Sequence, residues 1–458
     1  MSLTRQRVGE FFRKNSFYLV GVLCLLISLC AIWQATVAVI LFLATMTICS
    51  FFFDINKMLC LCSFSVCFSK LFTYGLVISF VISLSILSLR EIVSKRKQLT
   101  KNYIYLIAIF AYFFATFFLI GFNKNNFTSI AQIIALIGIL IEVFFLRTQI
   151  NISFIIKSIT IVLVTSCICS IPFVYNDWGI PVCWGWDSIF RFSGFFLHEN
   201  LLAIMCALLC AFFVNLFIEK KIHPVEFCIY ILSLFIIGYF TKSKSFLIAI
   251  TILLLYYFVR TVIINWKGAL IQFLVFAVVF VAICSIIPDK VYEYVSRFWI
   301  YADSSDYMYT ITTGRTDIWY YYSAIWTATP LTTIFGCGGS FIFDEYMSTH
   351  NAFLDLLLKN GIVGAVLVIA FAICCYIFAR KDKKSTRVNI PIIIMLLLFM
   401  AESACINVGI LMIIITFAGF FAAEGPVAED ITENVAEIEI PYDGDSSSKT
   451  SKKLQNTK

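Results

Sequence analysis

The chain has 458 residues, 61% of them hydrophobic and 13% charged, with a formal net charge of +7 at pH 7. So apolar a composition excludes a soluble globule, and its repeated apolar runs of roughly 17 to 22 residues are long enough to cross a bilayer as helices. The alternating strand pattern of a membrane β-barrel is absent, and the modest net charge matters only for which loops carry it.

Residues 1–16 carry Arg5, Arg7, Arg13 and Lys14, which predicts a cytoplasmic N-terminus. The first apolar run passes straight into a second without a small-residue cleavage site, so no cleavable signal peptide is expected. Apolar sequence fills 17–89, interrupted by Gln34, Asp54, Lys57 and Lys70. The basic loop Arg90–Lys101 is predicted cytoplasmic, which requires an even number of spans before it; two and four both satisfy the charges. Further spans are predicted at about 103–121, 127–146, 153–172, 198–218, 225–240, 245–262, 269–287, 361–379, 390–405 and 408–422. Arg147, Lys220-Lys221, Arg260 with Lys267, and the run Arg380-Lys381-Asp382-Lys383-Lys384 then fall inside. The 288–360 segment falls outside. Its acids (Asp289, Glu293, Asp303, Asp306, Asp317, Asp344, Glu345, Asp355) outnumber its bases (Lys290, Arg297, Arg315, Lys359), which suits a translocated loop.

The predicted fold is therefore all-α: a polytopic integral membrane protein with about 12–14 transmembrane helices. One large extracytoplasmic loop contains short amphipathic helices. The divisions are a cytoplasmic N-terminus at 1–16, a transmembrane region at 17–287, the loop at 288–360, C-terminal transmembrane helices at 361–423, and a tail at 424–458. The tail is acidic, then Ser- and Lys-rich, and its low apolar content predicts disorder in the cytoplasm. Asp443-Gly-Asp445 within it opens like a calcium loop but lacks the later ligands.

Most of the 17 cysteines lie inside apolar runs, where Cys behaves as a small hydrophobe. Cys183 and Cys337 sit in polar segments; a disulfide between them and two free thiols both fit their positions. No CxxC pair has zinc-site spacing.

Three polar islands interrupt the apolar frame. The first, Tyr175–Asn200, ends in RFSGFFLHEN, with Arg191, His198, Glu199 and Asn200 where the next helix begins. A helix N-terminus favours anions, so these residues fit an anion site; alternatively Arg191 snorkels to the headgroups while Asn200 caps the helix. The second is the turn Thr241-Lys242-Ser243-Lys244-Ser245. Two lysines in a short external turn run against the positive-inside trend and favour a binding role; a miscount of one span would instead make them cytoplasmic. The third runs from Ile311 to Gly364 and holds Gly314-Arg315, the turn Gly336-Cys337-Gly338-Gly339 and His350-Asn351. Arg315 opens a predicted amphipathic helix with Trp319, Tyr322 and Trp326 on one face. Those rings read either as an interfacial aromatic belt or as flat surfaces lining a groove for sugars. His350, one of three histidines, reads as a structural residue or a catalyst.

Taken in order, RFSGFFLHEN (191–200), TKSKS (241–245), GRTDIW (314–319), GCGG (336–339) and HNAFLDLLLKNGIVG (350–364) resemble the O-antigen ligase and polysaccharide polymerase superfamily of bacterial envelopes. The resemblance extends over nearly the whole membrane region. One departure is the turn, where the family usually has Arg and this chain has Lys244, which keeps the charge but loses the bidentate fork. The resemblance implies a multi-pass glycosyltransferase of the bacterial inner membrane that acts outside the cytoplasm. Its donor would be a polyprenyl-diphosphate-linked oligosaccharide, typically on undecaprenyl diphosphate, rather than a nucleotide sugar. In agreement, no nucleotide-binding glycine motif follows a strand, and no convincing strand is present.

On that reading Arg191, Lys244 and Arg315 hold the donor diphosphate and offset its charge as it leaves, with Asn200 and Lys242 beside them. His350 positions the acceptor hydroxyl and accepts its proton, while Asn351 orients His350 or caps the helix. No external pair of acids suggests a metal, so neither metal nor cofactor is expected. The expected reaction is polymerisation of repeat units of a capsule, O-antigen or exopolysaccharide. The partners are the lipid-linked donor, the growing polysaccharide, membrane lipids, a flippase and a chain-length regulator, with no nucleic acid. The alternative within the family is a ligase that moves finished glycan to a lipid or protein acceptor. From another class, a lipid-linked oligosaccharide flippase would need paired halves with broken helices at the midplane, whereas the polar residues here gather on one face.

Overall fold

The computed structural model describes residues 2–72, 75–95, 138–143, 145–146, 149–176, 180–186, 189–286, 292, 314–338, 349–381, 389–401 and 408–421. The expected spans at 103–121 and most of 127–146, about half of the 288–360 loop including Gly339, and the tail lie outside them. Two expectations change at once. A short antiparallel hairpin is present, and residues 245–262 and 269–287 form one helix.

Four helices occupy the N-terminal apolar stretch: α1 Ser2–Cys30, α2 Ala35–Ser50, α3 Ile55–Cys67 and α4 Gly75–Lys95. Of these, Asn15–Cys30, Ala35–Ser50 and Ile55–Cys67 are apolar but shorter than 18 residues. Asp54 caps α3 by accepting from Lys57 N at 3.0 Å, the role expected of a carboxylate at a helix N-terminus. Arg90 near the end of α4 folds back on the α2–α3 turn and donates to Ser50 O, Phe51 O and Phe53 O at 2.9–3.3 Å, satisfying carbonyls left over at the end of α2. At this same end Asn56 donates to Gln149 O and accepts from Asn151 N, and Lys157 pairs with Glu226 at 2.9 Å. One end of the helices is thus fixed by polar contacts among α3, α4, α5 (Ile152–Ser170) and the start of α7 (Pro224–Phe240).

The central helix is α6, Glu199–Ile218, which packs against α5, α7, α8 (Lys244–Ile286), α12 (Asn389–Ala401) and α13 (Val408–Phe421). Every side chain from Leu201 to Leu216 is buried. An apolar helix enclosed on all sides needs no amphipathic stripe, which is why its sequence is uniformly hydrophobic. By contrast α7 and the first part of α8 expose Ile229, Leu232, Phe235, Leu255 and Ile263, a surface suited to lipid rather than water. Among the described residues three helices are long and apolar enough to cross a membrane: Ile152–Tyr175, Glu199–Ile218 and Lys244–Ile263. They coincide with expected spans.

Helix α8 runs 43 residues, about 65 Å at 1.5 Å per residue, roughly twice the hydrocarbon thickness. Gly268 lies between the two expected spans, but one glycine costs a helix only about 1 kcal/mol relative to Ala, and no proline occurs before the helix ends at Ile286. The reversal expected between 262 and 269 is replaced by continuous helix. The side of the membrane taken by 288–360 therefore does not follow from counting spans across it.

Three further helices carry the third polar island: α9 Arg315–Trp326, α10 Pro330–Phe335 and α11 Ala352–Lys381. Gly361 breaks the regularity of α11 with φ 64° and ψ −170°, a conformation essentially reserved for glycine. The apolar segment was expected to start there.

Candidate functional site

At the end of the helices opposite Arg90, four chain segments converge. The hairpin β1 (Cys183–Trp186) and β2 (Ile189–Phe192) pairs Trp184 with Arg191. Lys70, in the turn after α3, donates to Ser193 Oγ at 3.0 Å and to Pro181 O, and its own N–H bonds Phe195 O. Burial pulls the Lys70 amine from its ordinary 10.5 down to about 8, against the attraction of Glu199 and Cys183. Cys183 is a free thiol pushed up to about 11 by burial, with Lys70 opposing; Cys337 is free as well, so the disulfide alternative does not hold.

Arg191 is the centre of this group. Its guanidinium meets Glu199 Oε1 at 2.5 Å, Asn200 Oδ1 at 2.7 Å and Thr241 O at 3.2 Å. The side chains of Arg191 and Glu199 are 19% and 3% exposed. Arg191 therefore does not snorkel, and Asn200 does not cap α6. The cap is His198, whose Nδ1 accepts from Asn200 N at 3.3 Å. Glu199 sits in the first turn of α6, where the helix dipole favours an anion. Its Oε2 is buried without a hydrogen-bond partner among the described residues. Arg191 thus ties the hairpin and the start of α6 to the end of α7, and brings the first island to the second.

Beyond Thr241 the turn is tight. Gly238 lets α7 and α8 approach closely, since a Cβ there would lie 2.2 Å from the buried ring of Phe246. Lys242 takes φ 50°, left-handed backbone that costs a side-chain-bearing residue roughly 1–2 kcal/mol. Lys244 is the first residue of α8, so its cation stands at the positive end of a helix dipole.

The third island is built separately. Gly314 at φ 78° precedes Arg315, the first residue of α9, as expected. The aromatic face of α9 is used for packing. Tyr322 is fully buried against Leu354 and Leu358, and the indoles of Trp319 and Trp326 donate to Thr349 O and Thr333 O at 3.0 and 3.2 Å. Those rings pack α9 against α10 and α11.

Asn351 caps α11, accepting from Phe353 N and Leu354 N at 3.0 and 3.2 Å. Thr349 Oγ1 accepts from Asn351 N at 3.1 Å and donates to Asp355 Oδ1 at 2.7 Å. Between them His350 is held at φ 49°. The turn after α10 docks on α11 through Cys337 N to Leu358 O (2.7 Å) and Gly338 N to Lys359 O (3.1 Å). Gly336 and Gly361 permit that approach: a Cβ on either would lie 2.2–2.5 Å from backbone of the facing segment.

Of the seven expected site residues, Arg191, Asn200, Lys242 and Lys244 share the first end, and Arg315, His350 and Asn351 share the α9–α11 unit. The bonds described for the two groups have no member in common. Lys70, Thr349 and Asp355 belong to these networks and were not foreseen; Glu199, named with the first island, serves there as the partner of Arg191. For Thr349 and Asp355 the signal was local, a capping pattern with an acid in the first turn after Asn351.

Residues 229–369 match the family model described as O-antigen ligase. The matched stretch contains Lys242, Lys244, Arg315, His350 and Asn351; Lys70, Arg191 and Asn200 precede it. No curated protein matches the chain. The quoted motifs and the matched stretch make the chain similar, over residues 229–369, to the O-antigen ligase family.

Proposed function

We propose that the protein is a polymerase of a bacterial surface polysaccharide, working on the extracytoplasmic face of the inner membrane. It transfers polyprenyl-diphosphate-linked repeat units to a growing glycan without a metal or cofactor. The observation that carries this reading is the placement of cations at helix N-termini. Lys244 opens α8, and Arg315 opens α9 with Asp317 in the same turn. The positive end of a helix dipole disfavours a cation, and a diphosphate bridging the cation to the helix N–H groups reverses the sign of that interaction.

In this mechanism Arg315, Lys244 and Lys242 take the diphosphate oxygens. Arg191, already committed to Glu199 and Asn200, acts by fixing the lysine turn through Thr241 O. As the anomeric C–O bond breaks, charge builds on the leaving diphosphate, where these cations stabilise it. His350, presented by a constrained backbone, accepts the proton of the acceptor hydroxyl as the new glycosidic bond forms, a contribution on the order of a hundredfold or more. The test is purified protein in detergent with undecaprenyl-diphosphate-linked oligosaccharide, following donor binding and product length separately. A ladder of products supports the polymerase.

A second reading is favoured by the description of the matched family model, O-antigen ligase. There the same site transfers finished glycan to a lipid or protein acceptor, and the assay then gives product only when that acceptor is added.

A further inference from the structure

The same three helices that carry the first polar group carry a second feature at their opposite end. A cavity of about 790 Å³ lies where α6 ends, α7 begins and α8 passes, lined by Phe217, Lys220, Lys221, His223, Tyr257 and Arg260 among others. Helix α6 separates it from His198 by 20 residues, about 30 Å along the axis. The site proposed above has no part in it.

Its charge is one-sided. Glu219 pairs with Lys221 at 3.2 Å and accepts from Asn215. Among the described residues neither Lys220 nor Arg260 has an ion-pair partner. Lys220 is set by the α6 C-terminus at φ 58°, with Lys221 N bonding back to Leu216 O at 2.9 Å. His223 uses Nδ1 to cap α7, accepting from Val225 N at 3.3 Å, which leaves Nε2 as its other hydrogen-bonding atom. The remaining walls are apolar: Phe217 stacks on Phe227 with centroids 4.3 Å apart and also approaches Tyr257 at 6.4 Å. Beside the cavity α7 and α8 expose Val225, Ile229, Phe258, Val262 and Ile263.

Cations around an apolar-walled cavity, at the end of membrane-length helices and continuous with a lipid-facing surface, match one ligand chemistry. That ligand is a phosphodiester with acyl chains attached. We infer that this cavity is a binding site for one anionic phospholipid, its phosphate between Lys220 and Arg260 and a chain along Phe217 and Tyr257. The occupant is a lipid rather than free phosphate because Phe217, Ile218, Ile222, Pro224 and Tyr257 also line the cavity and would be left in contact with water by a bare anion.

Delipidated protein in neutral detergent, titrated with phosphatidylglycerol or phosphatidylcholine of equal chain length and read by native mass spectrometry, tests the inference. Phosphatidylglycerol should bind with the higher affinity. Lys220→Gln and Arg260→Gln should each weaken it about fivefold, and the pair about 25-fold, with the difference shrinking at high salt. Lys220→Arg with Arg260→Lys keeps both charges and should keep the affinity, which separates loss of the site from loss of the fold. The inference is overturned if the parent shows no preference for the anionic lipid, if the double Gln variant retains it, or if excess inorganic phosphate displaces the lipid.

Discussion

Replacing Arg191 separates its structural role from any contact with substrate. Arg191→Met removes the partner of Glu199 Oε1 while that carboxylate stays 3% exposed. Its Oε2 already lacks a hydrogen bond among the described residues. Stranding one member of a buried ion pair costs about 3–5 kcal/mol, more than the hydrogen bonds to Asn200 and Thr241 contribute singly. Adding Glu199→Gln removes the stranded charge, and much of the loss should return, since neutral replacement of a whole pair is often close to neutral. Thermal unfolding in detergent should show Arg191→Met lowered by on the order of 5 °C, with the double variant well above it. Donor binding in the stable double variant then reports function. If Arg191 acts by fixing the lysine turn, binding should fall severalfold but survive. A single variant as stable as the parent, or a double variant no better than the single, would refute the buried-pair argument.

Other variants test the remaining parts. Gly361→Ala forces a Cβ to 2.2 Å from Ile334 O at a φ of 64°, so it should cost roughly 1–3 kcal/mol and loosen the α10–α11 contact, seen as faster hydrogen exchange at Cys337 and Gly338. The Lys70 amine titrates near 8, charged below that pH and neutral above it. The unfolded state holds the Lys70 proton up to its ordinary value, so this group's contribution to stability rises from pH 8 toward 10.5, and Lys70→Arg, charged throughout, should abolish that step. At the turn, Lys244→Glu should eliminate donor binding, Lys244→Arg should preserve or strengthen it, and Lys242→Ala should be milder; normal polymer from Lys244→Glu at normal protein level would remove Lys244 from the site.

What the sequence disclosed follows the range of the interactions involved. The spans at 153–172, 198–218 and 245–262 were legible because an apolar run of that length has one use in a bilayer. Gly361 was legible as a boundary because glycine ends regular backbone, and Arg315 because Gly314 precedes a helical pattern. The hairpin was missed because its strands are four residues each, too short for periodicity to register. Lys70 only made the span count ambiguous, since its partners Pro181 and Ser193 lie 111 and 123 residues away. Trp319, Tyr322 and Trp326 shared a face as expected, but sequence alone does not say whether such a face meets sugar, lipid or another helix; here it meets α11.

The central claim is that His350 performs chemistry at a site whose cations bind the donor. One measurement bears on it directly: parent and His350→Ala protein, matched in amount and folding, incubated with undecaprenyl-diphosphate-linked oligosaccharide while donor affinity and product length are read in parallel. The account predicts that the parent builds a product ladder, and that His350→Ala binds donor like the parent but yields at least a hundredfold less product. A His350→Ala ladder equal to the parent's would contradict it and leave His350 a structural residue held by Thr349 and Asn351.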